Sequence, residues 1–302
     1  MRMRNHPIFF GLLLLAAIGL FFVLAAYAVL TAAKGEAFLP TGGPKIAVVE
    51  IEGIIGDSRD VNEQLDAYEK SDDVRAVILR INSPGGGVVP SQEIYDKVLK
   101  LRERKTVVVS MGVLAASGGY YIASAADRIV ANPGTVTGSI GVIMQFSQVD
   151  ELLEKIGLKA RVIKSGIYKD TGSPLRDMTD EERLILQEMV DDIHNQFIEA
   201  VLANRDIPRE KLMKISEARV FTGRQALEEG LVDELGGFED AVAVAADLAG
   251  IEGEPTILYP RKRGGLLHYL LGEAASALSE ALVKNDMNIS YLYRGGLPSL
   301  SR

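Results

Sequence analysis

No cysteine occurs anywhere in the 302 residues, so neither a disulfide framework nor a thiolate metal site is available. Histidine is almost as scarce, with three in the chain. His6 precedes a long apolar run, His268 lies toward the tail and His194 falls inside a predicted helix, so a Ser-His-Asp triad is poorly supplied. Basic charge is also short. The net charge is −8 and no stripe of Lys and Arg stands out, which argues against a general nucleic-acid surface. Neither a His/carboxylate ligand cluster nor a nucleotide-binding glycine pattern is visible, so no metal and no organic cofactor is expected. Internal repeats are absent from the body of the sequence.

What the chain has in quantity is apolar residues, at 47%. Part of these form an uncharged run over residues 7–33, longer than the roughly 20 residues a helix needs to span a bilayer. A cleaved leader is the competing reading, with Ala26-Tyr27-Ala28 as small cleavage-site residues, but leader cores run to only about 7–15 residues. The length therefore predicts a retained anchor. Arg2 and Arg4 before it, against Lys34 after it, put the N-terminus in the cytoplasm and the rest of the chain outside. The expected organisation is a cytoplasmic N-terminus and transmembrane anchor (1–33), a linker (34–44) rich in Gly and Pro, a catalytic domain (45–250) and a C-terminal helix and tail (251–302).

Within the body, residues 46–51 and 74–81 are β-rich and flank a helical pattern over 61–70, which predicts a parallel βαβ unit and an α/β fold. A helix over 91–104 and a strand over 106–110 continue the alternation, followed by short strands at 126–131 and 138–143. Thr179 and Glu182 have the spacing of a capping box. They open a long helix whose buried stripe is predicted to be Leu186, Met189, Ile193, Phe197 and Val201. Thr222 and Gln225 repeat the device for a short helix that Gly230 ends. The segment 266–283 reads as an amphipathic helix and 288–302 as a poorly ordered terminus.

Chemistry concentrates at two strand-to-helix turns. Ser117, in Ala115-Ala-Ser-Gly-Gly-Tyr-Tyr121, is a nucleophile candidate, and Asn82-Ser-Pro-Gly-Gly-Gly87 offers bare backbone N–H groups. An oxyanion hole needs two converging donors. Gly118, beside the nucleophile, and Gly86, in the glycine turn, are the candidates, since Pro84 has no N–H. With histidine in short supply, the base falls to lysine, whose ammonium loses its proton far below the ordinary value of about 10.4 when desolvated. The segment Lys164-Ser-Gly-Ile-Tyr-Lys-Asp170 supplies two, and spacing alone does not choose between a basic and a plain surface role.

Taken with Thr137-Gly-Ser-Ile-Gly-Val142 and the stretch 222–237, these motifs resemble the signal peptide peptidase A family, serine peptidases with the Clp protease/crotonase fold. The resemblance covers about residues 45–248. It implies a repeated β-β-α superhelix, here preceded by one transmembrane helix, with Ser117 as nucleophile, Lys169 as general base, Ser139 as the hydroxyl that orients the lysine, and Gly86 and Gly118 as oxyanion donors. It also implies a membrane-anchored endopeptidase that degrades cleaved signal peptides and other hydrophobic peptides. The expected setting is the cell membrane, with a single pass, the bilayer as a partner and the catalytic domain outside the cytoplasm. A homo-oligomeric ring would share each Ser-Lys dyad between subunits. The rival readings are a crotonase-like acyl-CoA enzyme, which needs neither Ser117 nor Lys169, and a catalytically inactive membrane scaffold.

Overall fold

Strict alternation along the β-rich runs assigns each residue to one side of a sheet. In the computed structural model, which describes residues 18–21, 43–259 and 289–292, Ile46, Val48, Ala76, Ile78, Val108 and Val130 form one buried cluster, while Ala47, Val49, Val77, Leu79, Val107 and Val109 join another. Contacts divide the chain into residues 1–42 and 43–302, and the elements below all belong to the second unit.

In chain order these are β1 (Lys45–Glu52), α1 (Arg59–Lys70), β2 (Val74–Ser83), β3 (Gly85–Gly87), α2 (Val88–Arg102), β4 (Thr106–Ala116), α3 (Gly118–Ser124), β5 (Arg128–Ala131), β6 (Val136–Gly138) and β7 (Ile143–Met144). There follow α4 (Asp150–Lys155), α5 (Asp180–Leu202), α6 (Arg209–Ile215), β8 (Val220–Thr222), α7 (Gly223–Glu229), β9 (Glu234–Leu235), α8 (Phe238–Leu248), β10 (Thr256–Leu258) and β11 (Ile289–Leu292). The main sheet runs β10-β1-β2-β4-β5-β9, all parallel. Near its end β4 leaves β5 and pairs instead with β6, which carries β8 antiparallel on its far side. Helix α8 covers one face through Ala241 and Ala245, and α1, α2, α3 and α5 contribute to the larger core on the other. A second sheet of three short strands, β3-β11-β7, is antiparallel throughout.

Both predicted capping boxes form. The Glu182 and Gln225 amides donate to Thr179 and Thr222 Oγ1 at 3.2 and 3.3 Å, and the side chains return bonds to the Thr N–H groups. Gly230 ends α7 at φ 83°. Three expectations need revision. The strand expected at 138–143 is two pieces, β6 and β7, because the chain turns through positive φ at Gly138 and Ser139. The stripe of α5 is buried only toward its end. Phe197 and Val201 are in the core, but Met189 is 42% exposed and Leu186 half-buried, because the helix meets the core chiefly through its C-terminal half. Residues 289–292, read as terminus, are a paired strand, while 266–283 lie outside the described residues.

The transmembrane helix is also corrected. Among the described residues no helix is long and apolar enough to cross a membrane, which takes about 20 residues of helix. Of the run 7–33, residues 18–21 are described, as one helical turn, and the rest lies outside the described residues. The membrane-anchored description, the bilayer as partner and the single-pass location at the cell membrane are therefore not carried forward.

Candidate active site

Strand β4 delivers Ser117 and α3 carries the chain away from it. At this junction the backbone takes φ 54° and ψ −116°, a conformation that costs a side-chain-bearing residue on the order of 1–3 kcal/mol. Hydrogen bonds on both sides hold it there: Ser117 N–H donates to Gly138 O at 2.8 Å, and Tyr121 N–H donates to Ser117 O at 2.8 Å. The residue is 1% exposed.

Ser139 is brought alongside by strand pairing. Ala116 lies opposite Gly138 in the β4–β6 register, so Ser117 and Ser139 follow each other's strand ends. Ser139 too has positive φ, at 52°, and its N–H donates to Arg219 O at 2.8 Å. The Arg219 guanidinium lies 4.9 Å from the Phe221 ring centroid, and Ala218 N–H donates to Ile140 O at 3.0 Å, so a third positive-φ residue, Ala218, braces this loop.

The two glycines also converge. A Cβ added to Gly118 would lie 3.2 Å from the Gly86 nitrogen and 2.6 Å from Ser91 Oγ. Gly85, at φ 96°, is tighter still, since its Cβ would stand 2.1 Å from Tyr291 O and 2.6 Å from the Gly118 nitrogen. The turn is pinned by Ser83, whose Oγ accepts from Gly85 N–H at 3.1 Å and donates to Gly53 O at 2.6 Å. Ile55 fixes its outer edge, donating to Gly85 O and accepting from Gly87 N–H. Two backbone amides near a constrained serine can stabilise the oxyanion of an acyl-transfer intermediate.

Lys169 sits differently. It lies exposed in a turn, its N–H donating to Gly166 O at 3.2 Å, and Nζ makes no hydrogen bond or ion pair with another described residue. Lys164, by contrast, is committed: its ammonium donates to Ile167 O at 2.8 Å and to Asp170 Oδ1 at 2.6 Å. Asp170 also receives Arg176, which bridges to Glu182 at the start of α5. The Arg176 bonds, followed by those of Lys164, hold the Asp170 carboxyl far below its ordinary range. The same guanidinium, with the Thr179 N–H, holds Glu182 down to about 2. The lysine-bearing loop is thereby tied to the N-terminus of α5. His194, half-buried on α5, has a buried Nε2 with no hydrogen-bond partner among the described residues.

Ser117, Ser139, Gly86 and Gly118 are thus assembled, and Lys169 is left exposed. Ser83, Ser91, Ile55 and Tyr291 were missed by the sequence reading. Ser83 stood inside a noted motif, but Ile55 and Tyr291 meet the site from segments remote in the chain, with no local pattern to mark them.

The profile of "Peptidase family S49" matches residues 100–252, a span that includes Ser117, Ser139 and Lys169. A putative protease of Synechocystis sp. is 48% identical over 210 residues, covering 69% of this chain and 76% of that one. A putative protease of Methanocaldococcus jannaschii is 34% identical over 294 residues, 91% and 94% of the two chains. A putative signal peptide peptidase of Enterococcus faecium is 34% identical over 212 residues, 66% and 62%. An α/β protein with a constrained serine beside paired glycine amides is, by these matches, a serine peptidase. The chain belongs to peptidase family S49.

Proposed function

We propose that Ser117 is the nucleophile of peptide-bond hydrolysis, with Lys169 as its base. Lys169 Nζ takes the Ser117 Oγ proton as Oγ bonds to the carbonyl carbon of an extended peptide. The resulting oxyanion is held by the Gly86 and Gly118 N–H groups. Collapse breaks the C–N bond and the lysine gives its proton to the leaving amine; Lys169 Nζ then deprotonates a water that attacks the acyl carbon, and the proton passes to Ser117 Oγ as the ester bond breaks. The Ser139 hydroxyl directs the flexible lysine chain.

The observation that carries this reading is the strained Ser117 backbone, held where the Gly118 and Gly86 amides meet. The choice of base is supported by the engagement of Lys164 with Asp170, which leaves Lys169 as the uncommitted amine of the segment.

Hydrolysis of a fluorogenic peptide by the purified protein tests it. Ser117→Ala and Lys169→Ala should each lose at least about a thousandfold in kcat/KM, whereas Lys164→Ala should retain measurable turnover. A fluorophosphonate probe should label wild type and not Ser117→Ala. Full turnover by Ser117→Ala, or by Lys169→Ala, would reject the assignment.

A further inference from the structure

The two amides assigned to the oxyanion are aimed from behind. A peptide is planar and trans, so its C=O and the N–H of the next residue point in opposite directions. The Ser117 carbonyl accepts from Tyr121 N–H at 2.8 Å within α3, which turns the Gly118 N–H out of the helix N-terminus. The Gly85 carbonyl accepts from Ile55 N–H at 2.9 Å, which turns the Gly86 N–H away from Ile55. Tyr121 is fixed by its helix. Ile55 has no such support, since it stands in the connection between β1 and α1, where Gly53, Ile54, Gly56 and Asp57 around it are exposed.

Three contacts hold Ile55 against the glycine turn. Its side chain is buried in the larger core. Its carbonyl accepts from Gly87 N–H at 2.8 Å, and a Cβ on Gly86 would lie 2.1 Å from that oxygen, so the two backbones touch where only glycine fits. The third contact runs through Gly53. Its backbone is at φ 66°, its N–H donates to Asn82 O at 3.1 Å, and its carbonyl accepts from Ser83 Oγ at 2.6 Å. The same Ser83 oxygen accepts from Gly85 N–H at 3.1 Å, and the residue is fully buried. Beyond the turn, the buried Ser91 hydroxyl donates to Gly87 O at 2.8 Å. Every backbone polar group of Gly85 and Gly87 is therefore committed to Ser83, Ile55 or Ser91, and the Gly86 amide cannot rotate without breaking several of these bonds.

We infer that Ser83 is a positioning residue for the reaction: its hydroxyl brackets the Gly53–Ile55 connection to the glycine turn and so keeps the Gly86 N–H aimed at the oxyanion. This rests on the reading of Ser117 as nucleophile. A hydroxyl is the smallest side-chain group that gives to Gly53 O and takes from Gly85 N–H at once. Alanine and valine do neither, whereas threonine does both. The aim of the Gly86 donor matters most once negative charge has developed on the oxygen, so losing the bracket falls on kcat and leaves binding of the uncleaved peptide nearly untouched.

The test uses the full-length protein and the pair Ser83→Thr and Ser83→Val, which match in shape and differ by the hydroxyl, with circular dichroism melts to verify folding. Ser83→Val, like Ser83→Ala, should lower kcat on a fluorogenic peptide by at least about tenfold with KM within about twofold, and Ser83→Thr should recover most of the loss. A peptide aldehyde gives an independent reading. Ser117 Oγ adds to its carbonyl carbon, the hydroxyl proton passes to Lys169 Nζ, and the new alkoxide lies on the Gly86 and Gly118 amides. Its inhibition constant should weaken in Ser83→Val by about the factor lost in kcat. Anisotropy of a fluorescein-labelled peptide should meanwhile give the same affinity, within about twofold, for Ser117→Ala and for Ser117→Ala with Ser83→Val. Undiminished kcat in folded Ser83→Val, equal losses in the Thr and Val variants, or a fall in peptide affinity as large as the fall in kcat would overturn the proposal. Full turnover by Ser117→Ala alone would instead reject the catalytic reading on which it rests.

Discussion

Ser117 and Ala218 are a matched pair at the scale of single residues. Both hold positive φ, at 54° and 57°, yet only one carries a hydroxyl at a junction of strand and helix. Such strain is kept where the surroundings over-determine it. Replacing either with glycine removes the strain and gives back part of the gain as unfolded-chain entropy, for a net stabilisation of about 0.5–1 kcal/mol. In urea unfolding, Ser117→Gly and Ala218→Gly should both raise the midpoint. Peptide hydrolysis should then divide them, with Ser117→Gly inactive and Ala218→Gly active. A drop in stability for Ser117→Gly would mean that the serine side chain contributes more through its contacts than its backbone costs.

Among the elements, the segment from Lys164 to the start of α5 depends most on charge. Asp170 and Glu182 are both depressed below their ordinary values of 3.8 and 4.5, chiefly by Arg176. A depressed carboxyl contributes stability that is present above its unfolded value and lost as pH falls through the folded one. For Glu182 that window runs from about 4.5 down to about 2. The chain has no cysteine, so Lys169→Cys gives a unique labelling site. The anisotropy of a dye there should fall as pH drops through this window, while far-UV circular dichroism holds. A flat response would show that packing, not the Arg176 network, fixes the loop. The capping box beside this network was legible from sequence because it is local, needing Thr179 and Glu182 alone. The exposed middle of α5 was not, since periodicity names an apolar face without naming what covers it. β4 was read only to Ser110, because Met111-Gly-Val-Leu-Ala-Ala116 lacks a β-branched run; its last residues are held as strand by Ser83, Val136, Thr137 and Gly138 across the ladder.

At the scale of the whole molecule, protection should be graded from the centre of the sheet outward. β2 and β4 each have parallel neighbours on both sides and fully buried residues such as Val77, Leu79, Val107 and Val109. Their amides should exchange only through global unfolding, whereas β11 amides should exchange orders of magnitude sooner, through local release. Hydrogen exchange read by mass spectrometry checks this, and uniform protection across β2 and β11 would count against a separable strand. The α/β class and the glycine and serine motifs were legible because each sits in a short run of sequence. β11 was not, because its meaning lies entirely in partners that the chain reaches after long detours. The same is true at the edge of the main sheet where β10 pairs with β1. During synthesis β1 emerges among the first elements of this unit and β10 almost last, so a nascent chain carries β1 with one bare edge for nearly the whole of translation. The last described strand of the main sheet is also the one that closes this edge against pairing with another nascent chain.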